Sequence, residues 1–306
     1  MLMRRVAQDR FPEPAVRSVD SRAAAPADGW GLLQDGAWRP VGLCLAELLA
    51  LPLERAQEVL AEAGQAEPSP LGLGDSPGAA AFAAPLDEQE VWAAGVTYQR
   101  SREGRREESD GAAALYDHVY SADRPELFFK SVAARVVGPG QPVGIRADSS
   151  WDVPEPELAL VLNSRGEIFG YTVGNDMSSR SIEGENPLYL PQAKMYTAAC
   201  ALGPGIVPVA AAGPGPFGIT MRIERDGNTV YAGSTSTGSL VRSLPELSRW
   251  LFQAMDFPVG AILLTGTGLV PDRSFTLSEG DRITIEIDGI GVLDNPVALV
   301  GRKEIS

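Results

Sequence analysis

The sequence predicts an α+β fold that is mostly β, with a small N-terminal domain before a larger one. Three observations support this class. Short apolar runs rich in β-branched residues follow residue 91, glycine and proline separate these runs, and strands do not alternate regularly with helices. A parallel α/β sheet would require such alternation. The runs that most strongly predict strands are 206–209, 219–224, 262–265 and 282–287.

Helical patterns are fewer than strand patterns. One predicted helix spans 45–63, where Pro52 is placed to interrupt it, and another spans 244–255. The segment 64–85 is rich in proline, glycine, alanine and serine, a composition typical of a linker. We therefore expect a small N-terminal domain with its linker over 1–87 and a catalytic domain over 88–306. No internal repeat of twenty to fifty residues is evident in the sequence.

Composition excludes several classes of function. The formal charge of −14 and the pI near 4.6 argue against nucleic acid and anionic membranes as partners, because both require basic surfaces. The two cysteines, Cys44 and Cys200, cannot form a disulfide framework or a thiolate metal site. Neither an N-terminal leader pattern nor a long apolar stretch is present. A cytoplasmic protein with a small-molecule partner is expected.

Two glutamates and an aspartate are predicted to converge at one end of a hairpin. Glu155 and Glu157 are two residues apart in a predicted strand, so their side chains point to the same face. The turn signal Ser164-Arg165-Gly166 and a second β-rich run, 167–173, complete an antiparallel hairpin. If the turn centres near Arg165, Asp176 lies opposite Glu155.

Three converging carboxylates with no histidine or cysteine nearby suit a hard divalent cation, Mg²⁺ or Mn²⁺. Such a cation keeps coordination positions for water or substrate. The alternative is a solvated acidic rim, which is common on so acidic a chain. The residues alone leave both interpretations open.

Lysine is scarce, since Lys130, Lys194 and Lys303 are the only three in the chain. A lysine retained among many arginines suggests a need for an ammonium that can exchange a proton. Lys194, close in sequence to the three carboxylates, is the candidate. For Lys130, the competing interpretation is an ion-paired side chain under the site.

The stretch 101–114 is dense in charge and precedes the only histidine, His118. Such a stretch is usually a solvated surface. It is also placed to act as a lid that excludes water from a site. We expect His118 to be a surface or lid residue, because only the adjacent Asp117 is available locally to orient it.

Six segments, taken in order, resemble the fumarylacetoacetate hydrolase superfamily over about 91–300. The segments are 92–98, 124–130, 155–159, 170–176, 190–194 and 265–267. The resemblance implies a mixed β-roll fold and a Mg²⁺-type ion on Glu155, Glu157 and Asp176. It also implies a keto acid substrate that chelates the ion, and a homodimer or homotetramer.

Within the superfamily, the segments 183–194 and 124–130 are most similar to dehydratases of 2-keto-3-deoxy sugar acids. The implied reaction converts 2-keto-3-deoxy-D-arabinonate to 2,5-dioxopentanoate and water in pentose catabolism. Hydrolytic members carry a water-activating histidine shortly after the Gly-x-x-Tyr segment, and Ser101 stands at that spacing here. The resemblance therefore favours a hydro-lyase.

This resemblance assigns roles to four side chains. Lys194 is expected to be the base that removes a proton from the substrate, or the ammonium that stabilises the resulting enolate. Glu126 is expected to be the acid that protonates the leaving hydroxyl. The acid and base roles of the two residues could also be exchanged. Arg180 is expected to bind the substrate carboxylate, or else to form a structural salt bridge. Thr267 lies in a Thr-Gly-Thr-Gly turn and is expected to bind the same carboxylate. The alternative is that the glycines only allow the backbone conformation of the turn, which then binds no substrate.

Two other functions remain open at this point. An acylpyruvate hydrolase or oxaloacetate decarboxylase of the same superfamily would use the same ion, although the expected histidine is missing. A non-catalytic metal-binding protein would use the acidic residues to hold a structural ion, with Lys194 only neutralising charge.

Overall fold

The computed structural model describes residues 1–5, 30–34, 37–68, 82–98, 119 and 122–301. The charge-rich stretch 101–114, His118 and the middle of the predicted linker lie outside these residues. In the part of the chain that is described, no helix is long and apolar enough to cross a membrane.

Strands dominate the described residues. They are β1 (Leu2–Arg5), β2 (Trp30–Gln34), β3 (Ala37–Pro40), β4 (Glu90–Gly95), β5 (Glu126–Ser131), β6 (Val136–Val137), β7 (Val143–Arg146), β8 (Asp152–Val153), β9 (Pro156–Leu162), β10 (Ile168–Asp176), β11 (Ser178–Ser179), β12 (Cys200–Pro208), β13 (Gly218–Arg225), β14 (Asn228–Ser236), β15 (Ala261–Leu264), β16 (Arg282–Ile287) and β17 (Gly291–Val300). The helices are α1 (Leu45–Ala50), α2 (Leu53–Gln65), α3 (Arg180–Glu185), α4 (Leu190–Lys194), α5 (Val209–Ala212) and α6 (Leu244–Leu251).

Two mixed sheets form the body of the fold. The larger follows the order β3-β2-β1-β12-β10-β9-β15-β4-β5, with β6 beside β12, and the smaller follows β14-β13-β16-β17-β7. Most neighbours are antiparallel, whereas β15 and β4, β12 and β6, and β17 and β7 run parallel. The prediction of a mostly-β α+β fold is confirmed.

The predicted elements are found with shifted ends. Pro52 divides the first predicted helix into α1 and α2 and stands at the N-cap of α2, as expected for a residue without a backbone N–H. The second predicted helix ends at Leu251 rather than 255. Phe252 leaves the helix and packs against Phe257, with ring centroids 4.9 Å apart. Tertiary packing therefore ends this helix early.

Strand β9 is buried on both faces, which explains its continuous apolar sequence. Leu158, Leu160 and Leu162 pack in the core shared with the smaller sheet. Ala159 and Val161 pack in a second core that includes α1 and α2. Because β1 also pairs with β12, the N-terminal strands extend the sheet that carries β9. The domain boundary after residue 87 stays a prediction.

Candidate active site

The predicted hairpin is confirmed as β9 and β10. The backbone N–H of Asp176 donates to the carbonyl of Glu155 at 3.0 Å, so the two residues lie opposite each other. At the other end, the N–H of Gly166 donates to the carbonyl of Asn163 at 3.0 Å and closes the turn. Alternation along β9 then places Glu157 on the face of Glu155.

The side chains of Glu155, Glu157 and Asp176 converge in the interior. One carboxylate oxygen from each residue lies within 4.8 Å of the corresponding oxygens of the other two. All three residues are between 1% and 3% exposed. The alternative of a solvated acidic rim is therefore excluded, since a rim would leave these groups in water.

Glu157 differs from the other two carboxylates of the cluster in its contacts. Its Oε2 accepts the backbone N–H of Gly266 at 2.6 Å, and among the described residues it forms no salt bridge. Burial raises the pKa of Glu157 well above its ordinary value, and the nearby charges of Asp176 and Glu155 raise it further. The nearby positive charge of Lys194 and the hydrogen bond from Gly266 oppose this rise in pKa without cancelling it.

Lys194 ends the short helix α4 and reaches into the cluster. Its Nζ donates to Glu155 Oε2 at 2.7 Å, Asp176 Oδ2 at 3.0 Å and Ser178 Oγ at 2.5 Å. The lysine is fully buried. The structure thus brings the predicted lysine to the predicted carboxylates, and it adds Ser178, for which the sequence carried no signal.

Arg180, the first residue of α3, lies on the other side of Glu155. Its Nη2 donates to Glu155 Oε1 at 2.5 Å, and its Nε lies 4.0 Å from Glu183 Oε2. The structural salt bridge considered in the sequence analysis is therefore present. A further role in binding the substrate carboxylate stays a prediction.

Glu126 begins β5 and lies opposite Gly95 on β4. The carboxylate of Glu126 occupies the space above Gly95, because a Cβ on this glycine would lie 2.0 Å from Glu126 Oε2. The predicted acid thus stands at the end of β4, beside the cleft that contains the carboxylate cluster.

A partly open cleft leads to the cluster. The three carboxylates, Arg180 and Lys194 form its polar part, and Ala94, Val96 and Phe128 form an apolar wall. Val96 has a φ of 54°, unusual for a β-branched residue and of the kind found at functional sites. The Phe128 ring centroid lies 5.7 Å from Lys194 Nζ.

The Thr-Gly-Thr turn after β15 borders the same cleft. Thr265 Oγ1 donates to the carbonyl of Leu158 at 2.9 Å, and Thr267 Oγ1 donates to the carbonyl of Leu269 at 3.1 Å. Thr267 is therefore at the site, with its hydroxyl bonded inside its own loop. Its predicted contact with a substrate carboxylate stays a prediction.

Comparison with known proteins agrees with this geometry. Residues 91–298 match the family described as fumarylacetoacetate (FAA) hydrolase C-terminal. A probable 2-keto-3-deoxyxylonate dehydratase of Haloferax volcanii is 54% identical over 217 residues, which are 71% of this chain and 74% of that protein. A 2-dehydro-3-deoxy-D-arabinonate dehydratase of Saccharolobus solfataricus is 43% identical over 217 residues, 70% of this chain and 73% of that protein.

A solved structure is similar over nearly the whole length. It is 2-keto-3-deoxy-D-arabinonate dehydratase complexed with magnesium and 2,5-dioxopentanoate, with a TM-score of 0.80 and 32% identity. The alignment covers 99% of this chain and 100% of that chain.

Proposed function

Because this chain belongs to the fumarylacetoacetate hydrolase family, we propose that it is a magnesium-dependent dehydratase of a 2-keto-3-deoxy sugar acid. The observation that carries the proposal is the contact of Lys194 with two of three buried, converging carboxylates. This arrangement provides a cation site and a proton-transfer group in one cleft. The names of the two similar enzymes, one of them a probable assignment, support the same reaction.

The substrate class follows from the chemistry of those names. In a 2-keto-3-deoxy pentonate, C4 is the only stereocentre. The arabinonate and xylonate derivatives of the D series have the same configuration at C4, so they are the same molecule. We assign 2-keto-3-deoxy-D-arabinonate as the substrate and 2,5-dioxopentanoate and water as the products.

The acidic cluster fits a magnesium ion. Mg²⁺ prefers oxygen ligands, and Glu155, Glu157 and Asp176 offer three carboxylates within 4.8 Å of one another. Burial and two acidic neighbours raise the pKa of Glu157, and the positive charge of a bound divalent cation would oppose that rise. When bound, the ion supplies Lewis-acid stabilisation of the negative charge that develops on the substrate's C2 oxygen.

The protein's own groups then transfer protons. Loss of water requires removal of a proton from C3 and departure of the C4 hydroxyl with an added proton. Lys194, inside the cluster, and Glu126, above Gly95, are the base and acid of this step, in either order. Removal of a proton from C5 and addition of one at C3 then convert the C3–C4 double bond into a C4–C5 enol. This enol becomes the C5 aldehyde when its hydroxyl loses a proton and C4 gains one.

The sequence favours dehydration over hydrolysis, because Ser101 stands at the spacing where hydrolytic members of the family carry their histidine. The only histidine of the sequence, His118, lies outside the described residues. Lysine and glutamate are the candidate acid and base within the part of the site that is described.

We further propose a homodimer or homotetramer. Leu188 is 83% exposed and Tyr189 is 40% exposed, directly before α4. Burial of such apolar side chains between subunits would stabilise an assembly. Light scattering coupled to size-exclusion chromatography would measure the mass of the assembly.

We also propose a cytoplasmic location, with which the two free cysteines are consistent.

The test is an assay with Mg²⁺ and 2-keto-3-deoxy-D-arabinonate, in which an added nicotinamide-dependent aldehyde dehydrogenase reports semialdehyde formation. EDTA and Lys194→Met should each abolish turnover. Arg55→Met, which removes a half-exposed cation on α2, should leave it unchanged. Cleavage of acylpyruvates or decarboxylation of oxaloacetate, with no dehydration, would refute the proposal.

A further inference from the structure

Lys130 lies beneath the carboxylate cluster, with its side chain 0% exposed. Its Nζ donates to the carbonyl of Met177 at 2.9 Å and to the carbonyl of Lys194 at 2.6 Å. It also forms a salt bridge with Asp176 Oδ1. The ammonium therefore contacts three oxygens, two through hydrogen bonds and one through a salt bridge.

These acceptors belong to two separate elements of the site. Asp176 ends β10 and Met177 follows it, whereas Lys194 ends α4. The last carbonyls of a helix have no partner within the helix, and a cation near them is favourable. Lys130 therefore ties the C-terminal end of α4 to the end of β10.

Asp176 is held between two lysines. Lys130 contacts its Oδ1, and Lys194 donates to its Oδ2 at 3.0 Å. With an ammonium on each side, the carboxylate cannot rotate without losing the charged hydrogen bond to Lys194 or the salt bridge to Lys130. Lys130 also donates to the main-chain carbonyl of Lys194. One ammonium therefore fixes the positions of both Asp176 and Lys194.

The chemistry of lysine suits this task better than that of arginine. A compact tetrahedral ammonium directs its N–H bonds toward oxygens on different sides, whereas a guanidinium is planar. Lys130 is also not among the residues that line the cleft. Proton transfer to substrate is therefore assigned to Lys194 and not to Lys130.

We infer that Lys130 is a positioning residue that holds Lys194 and Asp176 in the relative arrangement required for dehydration. The inference rests on the proposed function. It predicts that loss of Lys130 lowers kcat by about 100-fold, the size expected for a small misplacement of a reacting group. KM should change little, because Lys130 does not touch the cleft.

The experiment compares Lys130→Met, Lys130→Arg and the wild type. Asn295→Leu is the matched control, because Asn295 is 1% exposed and its side chain also donates to two main-chain carbonyls, those of Gly138 and Gln141. Steady-state kinetics with saturating Mg²⁺ give kcat and KM. The rate of backbone amide hydrogen exchange over 190–195, measured by mass spectrometry, reports how often α4 opens locally. This measurement does not depend on activity.

Both Lys130 variants should show the fall in kcat and exchange about tenfold faster over 190–195, through loss of charged hydrogen bonds. Asn295→Leu should lower Tm but alter neither quantity. The inference is overturned if Lys130→Arg keeps either the wild-type kcat or the wild-type exchange rate over 190–195. If Lys130→Met does not fold, Lys130→Arg alone tests the inference. A wild type that does not dehydrate the sugar acid refutes the proposed function, while the exchange result still decides the anchoring of α4.

Discussion

Gly95 makes the space in which the carboxylate of Glu126 lies: a Cβ on Gly95 would stand 2.0 Å from Glu126 Oε2 and 2.6 Å from its Cδ. The two residues are directly paired across β4 and β5. The position of the proposed acid thus depends on a glycine in the neighbouring strand.

Gly95→Ala should lower kcat by about 10- to 100-fold, because the new methyl group displaces the Glu126 carboxylate from its position beside the cleft. Tm should change little, since the displaced atoms are the end of a flexible side chain. The measurements are steady-state kinetics and thermal unfolding. Gly64→Ala, in α2, is the control and should keep the wild-type kcat. A wild-type kcat in Gly95→Ala would remove Glu126 from the mechanism.

Gly266→Ala should both destabilise the protein and weaken magnesium binding. Gly266 has a φ of +87°, and a Cβ there would lie 1.9 Å from Thr97 Oγ1. Displacement of its N–H would also deprive Glu157 of a hydrogen bond. We expect a loss of about 1–3 kcal/mol in the free energy of unfolding and about 10- to 100-fold in Mg²⁺ affinity.

Urea unfolding and calorimetric titration with Mg²⁺ measure the two effects of Gly266→Ala. Gly280→Ala is the matched control, because Gly280 has a φ of +88° but no atom within 4 Å of a Cβ built on it. It should lose stability through backbone strain and keep the wild-type Mg²⁺ affinity. Equal affinity in both variants would show that the Gly266 N–H does not orient a metal ligand.

Mg²⁺ should raise Tm, because an ion that binds only the folded state stabilises it by about 2.7 kcal/mol at 100 times its Kd. EDTA should reverse the shift. Glu157→Gln removes one carboxylate of the cluster and should reduce the shift strongly, whereas Glu286→Gln, on an exposed position of β16, should retain it. A full shift in Glu157→Gln, measured by differential scanning fluorimetry, would contradict the assigned ligand set.

Asp152 provides a prediction for pH. Burial raises the pKa of Asp152 from an ordinary 3.8 to about 6. Its contribution to stability is present below pH 3.8 and lost as pH rises through about 6, because the folded state binds the proton more tightly. Asp152→Asn should therefore gain stability relative to the wild type by about 1 kcal/mol between pH 5 and pH 8.

Denaturant unfolding at the two pH values measures this gain. The control is Asp272→Asn, since hydrogen bonding to Ser274 lowers the pKa of Asp272. A lowered carboxyl pKa contributes stability above the ordinary pKa, so this variant should show no relative gain as pH rises. The same pH dependence in Asp152→Asn and the wild type would show that Asp152 is not responsible.

Local pattern was sufficient for the hairpin and its acidic residues. The two-residue spacing of Glu155 and Glu157 sets a common face, and the turn near Arg165 sets the register that brings Asp176 opposite Glu155. The scarcity of lysine singled out Lys194, which the structure places among these carboxylates. Strand periodicity and turn chemistry act over a few residues, so the sequence is enough to predict them.

Only the tertiary structure decided which groups support that site. The N–H of Gly266 reaches Glu157 across 109 residues of sequence, and Lys130 reaches the carbonyl of Lys194 across 64. Arg180 was expected either to bind the substrate carboxylate or to form a structural salt bridge, and the fold forms that salt bridge with Glu155. Such contacts depend on the order and packing of the strands between these segments. The sequence by itself determined the candidates for the reacting groups, and the packing of distant strands determined how these side chains are held.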